Sequence, residues 1–120
     1  MNPDPMDYPS LLRRCMGRRE LAARLVLKFV AQADADAQEI ARALQRADAA
    51  ALAASAHRLK GAAANISAES LRQIAAELEI LGRSGNPASA GFGLERLREE
   101  LERLKSSWPR IETSQPGRGH

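Results

Sequence analysis

The stretch Ser55-Ala56-His57-Arg58-Leu59-Lys60-Gly61-Ala62-Ala63-Ala64-Asn65-Ile66 holds the residues best suited to chemistry in this chain. Imidazole is neutral and nucleophilic near neutral pH. Lys60 follows His57 by about one helical turn, where its charge can partner a phosphoryl group. On a helix turning about 100° per residue, Leu52, Ala56, Leu59, Ala63 and Ile66 fall in one narrow arc. His57 then lies about 160° from Leu59, nearly opposite that apolar stripe. Its neighbours on that face are Ala53, Lys60, Gly61 and Ala64. A solvent face of a helix normally carries Glu, Lys and Gln, whereas this one is small and nearly flat. Glycine within a helix costs about 1 kcal/mol relative to alanine. Such a patch around an imidazole suits the close approach of another protein. A surface histidine without a role is the plain alternative, and the alanines and glycine around His57 argue against it.

Other chemistries fail by inventory. Zinc needs three or four ligands, and Cys15, His57 and His120 are far apart in sequence, so no metal site is expected. A hydrolase would need a nucleophile and an orienting acid beside the histidine, and Ser55, two residues away on the same helix, points elsewhere. No glycine-rich phosphate loop occurs, so ATP binding and independent turnover are not expected.

A helical scaffold must present this segment. Of the 120 residues, 23 are alanine and 15 leucine, and only 8 are Val, Ile or Thr. That favours helices and argues against a sandwich, a barrel or a long parallel sheet. Residues 1–8 read as an irregular leader, and Pro9 can open a short helix. From about 18 to 47 an apolar stripe runs through Ala22, Leu25, Val26, Phe29, Ala33, Ile40, Ala43, Leu44 and Ala47. The Ala-Asp repeats around Asp34 and Asp36 weaken it locally; they leave room for a bend, but no proline forces one. Asp48 can cap a helix over 49–66, and Ser67 another over 68–83. Gly82, Ser84, Gly85, Asn86 and Pro87 mark a break. Leu94, Leu97, Leu101, Leu104 and Trp108 give the last helix, 88–107, a bundle seam. Its outer face offers Arg96–Glu100, Arg98–Glu102 and Glu99–Arg103 at i,i+4. Pro109 is expected to stop it, leaving 109–120 as a disordered tail. The expected fold is all-α: an antiparallel four-helix bundle over residues 9–108 with a short additional N-terminal helix.

Charge narrows the partners. Residues 1–19 and 105–120 each carry +2, and 20–104 carry −1, which makes the net +3. The basic excess sits at the ends, and only 3% of residues are aromatic, so no nucleic acid is expected as a partner. No apolar run is long enough to span a membrane, and no signal peptide is evident, so the expected compartment is the cytoplasm.

Ala56-His57-Arg58-Leu59-Lys60-Gly61 resembles the Ala-His-x-Leu-Lys-Gly signature of histidine phosphotransfer (HPt) domains. Phe29, Ala43, Asp48 and the Leu78-Glu79 pair also fit the family pattern, over about residues 10–107. The resemblance implies a phosphorelay module that passes a phosphoryl group between receiver-domain aspartates. It implies His57 as phosphoacceptor, Lys60 as holder of phosphate oxygens, and Glu79 as the carboxylate that orients the imidazole. On its wheel Glu79 lies about 80° from Leu71, at the border of the core stripe, from where it could reach a neighbouring helix. Gly61 matches the family glycine beside the ring. The family's second glycine is replaced by Ser67, which bears on partner choice. Docking is expected over Ala53, Arg58, Gly61, Ala64 and Ser67. The implied partners are response-regulator receiver domains and a hybrid sensor kinase, with Mg²⁺ supplied by the receiver and the chain itself a cofactor-free monomer. The rival reading is a helical adaptor that docks signalling partners without being phosphorylated.

Overall fold

The structure, a computed structural model, describes residues 4–113. Five helices follow in order: α1 (Tyr8–Arg14), α2 (Arg19–Gln45), α3 (Ala49–Asn65), α4 (Glu69–Arg83) and α5 (Gly91–Thr113). A 3-10 turn, Pro87–Ser89, leads into α5, so the last helix begins three residues later than the sequence suggests.

Side-chain pairings fix the direction of each helix against its neighbours. Arg58 of α3 reaches Asp36 of α2, and His57 and Lys60 of α3 reach Glu79 of α4. Arg96 of α5 reaches Glu77 of α4, Lys105 of α5 reaches Asp34 of α2, and Arg19 donates to the Glu112 carbonyl. Residues 19 and 34 of α2 thus meet 112 and 105 of α5, and with short connections between successive helices α2–α5 form an antiparallel four-helix bundle with α1 as the additional short helix. The seam leucines of α5 are buried with Leu52, Leu59, Leu71, Leu78 and Ile40 from the other three. Short connections leave little alternative to this up-and-down path.

Side-chain caps start two of the helices. The Asp48 carboxylate accepts from the Ala51 amide at 3.0 Å and starts α3. Asp7 does the same for α1 through Ser10 at 3.1 Å, with Pro9 in the first turn. Ser67 does not cap α4: Ala68 is the cap residue and gives no side-chain bond. Ser67 instead takes the left-handed backbone conformation, φ 59°, between α3 and α4, and its hydroxyl donates to Ser10 Oγ at 3.0 Å. That conformation is the one glycine adopts at least cost, a physical reason for glycine at this turn.

The leader and α2 hold with added detail, and α5 departs from expectation. The leader packs down: Met6 and Tyr8 are buried, and Asp7 N–H donates to the Ser67 carbonyl at 2.8 Å. Helix α2 runs straight through the Ala-Asp repeats as one 27-residue helix, with Asp36 buried against α3. Helix α5 continues past Pro109 to Thr113. An interior proline costs about 3 kcal/mol, whereas burying Trp108 and Ile111 returns roughly 1.5–3 kcal/mol each. Ile111 is buried, and Trp108 meets the Tyr8 ring edge-on at 5.5 Å. The rest of the expected tail, 114–120, lies outside the described residues. On α5, Arg96 turns to Glu77, and Arg103 takes Glu100 at i,i+3 in place of the expected i,i+4 pairs.

Candidate functional site

Backbone contact between α3 and α4 sets the site. A Cβ built on Gly82 would lie 2.6 Å from Ala53 N and 2.9 Å from Ala49 O. Only glycine lets the last turn of α4 lie so near the first turns of α3. Nine of the seventeen residues of α3 are alanine, so the facing helix is equally thin. This close approach brings Glu79, about one turn before Gly82, across to the His57 ring.

Glu79 is 4% exposed, the most deeply placed acid on this side of the bundle. Its two oxygens have separate duties. Oε1 accepts from Lys60 Nζ at 2.7 Å. Oε2 faces His57 Nδ1 at 3.0 Å and also accepts from Arg83 Nε at 2.9 Å and Arg83 Nη2 at 2.6 Å. The imidazole remains largely exposed, with 61% of its side-chain surface open. Because an ionised carboxylate only accepts, Nδ1 must carry the hydrogen of a neutral ring, and the lone pair is left on Nε2.

Burial alone would raise the Glu79 pKa, but the cations win. The Lys60 hydrogen bond, then those of Arg83 and His57, lower it from 4.5 to about 2. The folded state therefore holds the ionised form more tightly than the unfolded chain does. Its contribution to stability is fully present above pH 4.5 and is lost as pH falls through about 2. Thermal midpoints of wild type should fall across that window more steeply than those of Glu79→Gln. Parallel profiles would remove Glu79 from the acid-sensitive groups.

The expected site residues separate into two sets. His57, Lys60 and Glu79 come together. Ala53 joins them through a groove of about 700 Å³, lined by Ala49, Ala50, Ala54, His57, Gly82 and Arg83. Gly61 is exposed, and a Cβ there would meet nothing within 4 Å. Arg58 turns away toward α2, donating to Ser55 Oγ at 3.2 Å and reaching Asp36 Oδ1 at 3.5 Å. The Ala64 carbonyl accepts from Arg14 at 2.9 Å, and Ser67 belongs to the α3–α4 turn. Sequence reasoning does not single out Arg83; its i,i+4 spacing from Glu79 on a predicted helix was the available clue.

Comparisons with known proteins bear on the family and the fold. The family model described as Hpt domain matches residues 24–107. The fold is similar to the crystal structure of histidine-containing phosphotransfer protein B (HptB) from Pseudomonas aeruginosa PAO1, with a TM-score of 0.83 and 24% identity over 94% of this chain and 98% of that one. No curated protein matches. Among the described residues no helix is long and apolar enough to cross a membrane. With more than two thirds of its length matched by that family model, the chain belongs to the Hpt domain family.

Proposed function

We propose that His57 accepts a phosphoryl group from a phosphorylated receiver aspartate and returns it to another, as the intermediate of a phosphorelay. The hold of buried Glu79 on Nδ1 is the observation that carries this reading, because it commits the Nε2 lone pair to the exposed side of the chemistry. Nε2 attacks phosphorus, and the bond from phosphorus to the aspartyl oxygen breaks. The electrons of that bond leave with the aspartate carboxylate. Nδ1 keeps its hydrogen, so the ring becomes a phosphorylated imidazolium whose positive charge faces Glu79. The reverse sequence returns the group. We place Mg²⁺ with the receiver partner.

Two further observations support the same reading. Gly61 costs helix stability, and nothing among the described residues needs a missing side chain there. The space that it leaves serves whatever approaches His57 from outside. Lys60 stands beside the ring, on Glu79 Oε1, and is only about one-third exposed. From there Nζ can move to phosphoryl oxygens.

Incubation with phosphorylated receiver domains, followed by mass mapping of acid-labile phosphate, tests the assignment. Phosphate on His57 supports it, and a protein that docks receivers yet stays unlabelled is an adaptor. Replacing Lys60 with alanine should slow transfer without removing the acceptor. The expected loss is about 1–3 kcal/mol in the barrier, the worth of a charge-assisted contact. Rapid-quench kinetics that match wild type at low and high salt would reduce Lys60 to a structural partner of Glu79.

A further inference from the structure

Two cations and the His57 ring converge on one buried carboxylate, and the two cations hold different oxygens. Lys60 has Glu79 Oε1, while Arg83 and His57 share Oε2. If Lys60 turns to a phosphoryl group, Oε1 loses its partner and Glu79 faces the cost of a buried, under-neutralised charge. Arg83 sits on the opposite side of the carboxylate, about one turn along α4, and gives two hydrogen bonds to the oxygen that holds the ring. The tight contact at Gly82 keeps that turn of α4 against α3.

We propose that Arg83 is a positioning residue: it keeps Glu79 charged and aimed at His57 Nδ1 while Lys60 leaves for the phosphoryl group. The proposal rests on the phosphoacceptor reading and adds a division of labour to it. Lys60 is the mobile cation of the site, and Arg83 the stationary one. Arg83 acts through Glu79 and touches no reacting atom.

Two consequences distinguish this role from simple packing. With Arg83 present, Lys60→Ala leaves the His57 ring in one tautomer, because Oε2 keeps its partners. With Arg83→Gln, Lys60 is the remaining cation on Glu79, and it cannot serve the carboxylate and the phosphoryl group at once. Arg83→Gln should therefore slow phosphorylation about tenfold, as expected for a lost charge-assisted contact. Arg83→Lys should restore part of the rate, since an ammonium gives the charge without the two-pronged geometry.

The test uses the full chain and potassium phosphoramidate, a small donor that needs no partner protein. Ring ¹⁵N NMR reads the tautomer before phosphorylation, and ³¹P NMR follows the rate. Expected is a wild-type ring fixed with hydrogen on Nδ1 and a Lys60→Ala ring equally fixed. Mixed tautomers are expected in the Arg83→Gln/Lys60→Ala double variant, with slow labelling of Arg83→Gln partly rescued by Arg83→Lys. Wild-type behaviour of Arg83→Gln, or a mixed ring in Lys60→Ala alone, overturns the proposal. Slow labelling of Arg83→Gln with a fixed double-variant ring also overturns it, because Arg83 would then act on the donor directly. Should phosphoramidate leave wild-type His57 unlabelled while the ring data follow expectation, the phosphoacceptor reading fails and the hold of Arg83 on Glu79 stands.

Discussion

His57→Gln will take up no phosphoryl group and will keep the helical bundle intact. Glutamine has no nucleophilic ring nitrogen, so the loss is complete and does not reflect a slower reaction. The side chain is largely exposed, so the fold has little to lose. Among the described residues the hydrogen bond removed is that with Glu79, which retains Lys60 and Arg83. Surface substitutions of this kind usually stay within about 0.5 kcal/mol of wild type. Labelling by a phosphorylated receiver and a urea melt followed by circular dichroism check the two halves. Persistent labelling would move the acceptor elsewhere, with His120 next to be tested. A collapse in stability would mean that the Glu79 contact is structural first.

Gly82→Ala will destabilise the bundle and loosen the site by adding a single methyl group. The nearest atoms to the new Cβ are Ala53 N and Cα and Ala49 O, all backbone, so no rotamer change can relieve the overlap. Helices α3 and α4 must separate or slide. Overpacking of this type costs about 1–3 kcal/mol, set against the gain of roughly 1 kcal/mol that alanine brings over glycine within a helix. The steric cost should dominate, because 2.6 Å is far inside contact distance and the obstacle is main chain. The His57–Glu79 contact, about one turn away, should lengthen with it. A lower melting temperature together with a mixed tautomer of the His57 ring is the expected pair of readings. Gly61→Ala makes the contrast, since that site is open and the change should stabilise the isolated protein. If Gly82→Ala melts at or above wild type with its ring unchanged, the close approach of the helices does not set the site.

These two glycines also show what could be read from the letters and what could not. The apolar stripes of α2–α5, the Asp48 cap and the histidine opposite its own stripe follow from spacing alone, because helical periodicity is a local property. Glu79 was reachable too: counting residues either side of the α3–α4 turn places it level with His57, and the family resemblance points to it. The close approach at Gly82 was not reachable, since a glycine ahead of Ser84-Gly85-Asn86-Pro87 reads as part of a break and only the facing backbone reveals its packing. Arg83 escaped for a related reason. Its partner Glu79 looked half-exposed on the wheel, and burial is what makes a second cation matter. The end of α5 is hidden from the sequence because proline is a strong local stop, whereas the burial of Ile111, and of Trp108 against Tyr8, is a long-range gain.

The alanines that line the groove beside His57 have a thermodynamic consequence. Alanine has no side-chain rotamers to lose. A surface of lysines and glutamates gives up about 0.5–1.5 kcal/mol for each side chain that a partner immobilises. Ala49, Ala50, Ala53 and Ala54 give up none, so ordering on association falls almost wholly on the visitor. The same four methyl groups offer little area to hold it. An encounter on this face is thus cheap to make and cheap to undo, which suits the relay role proposed for His57.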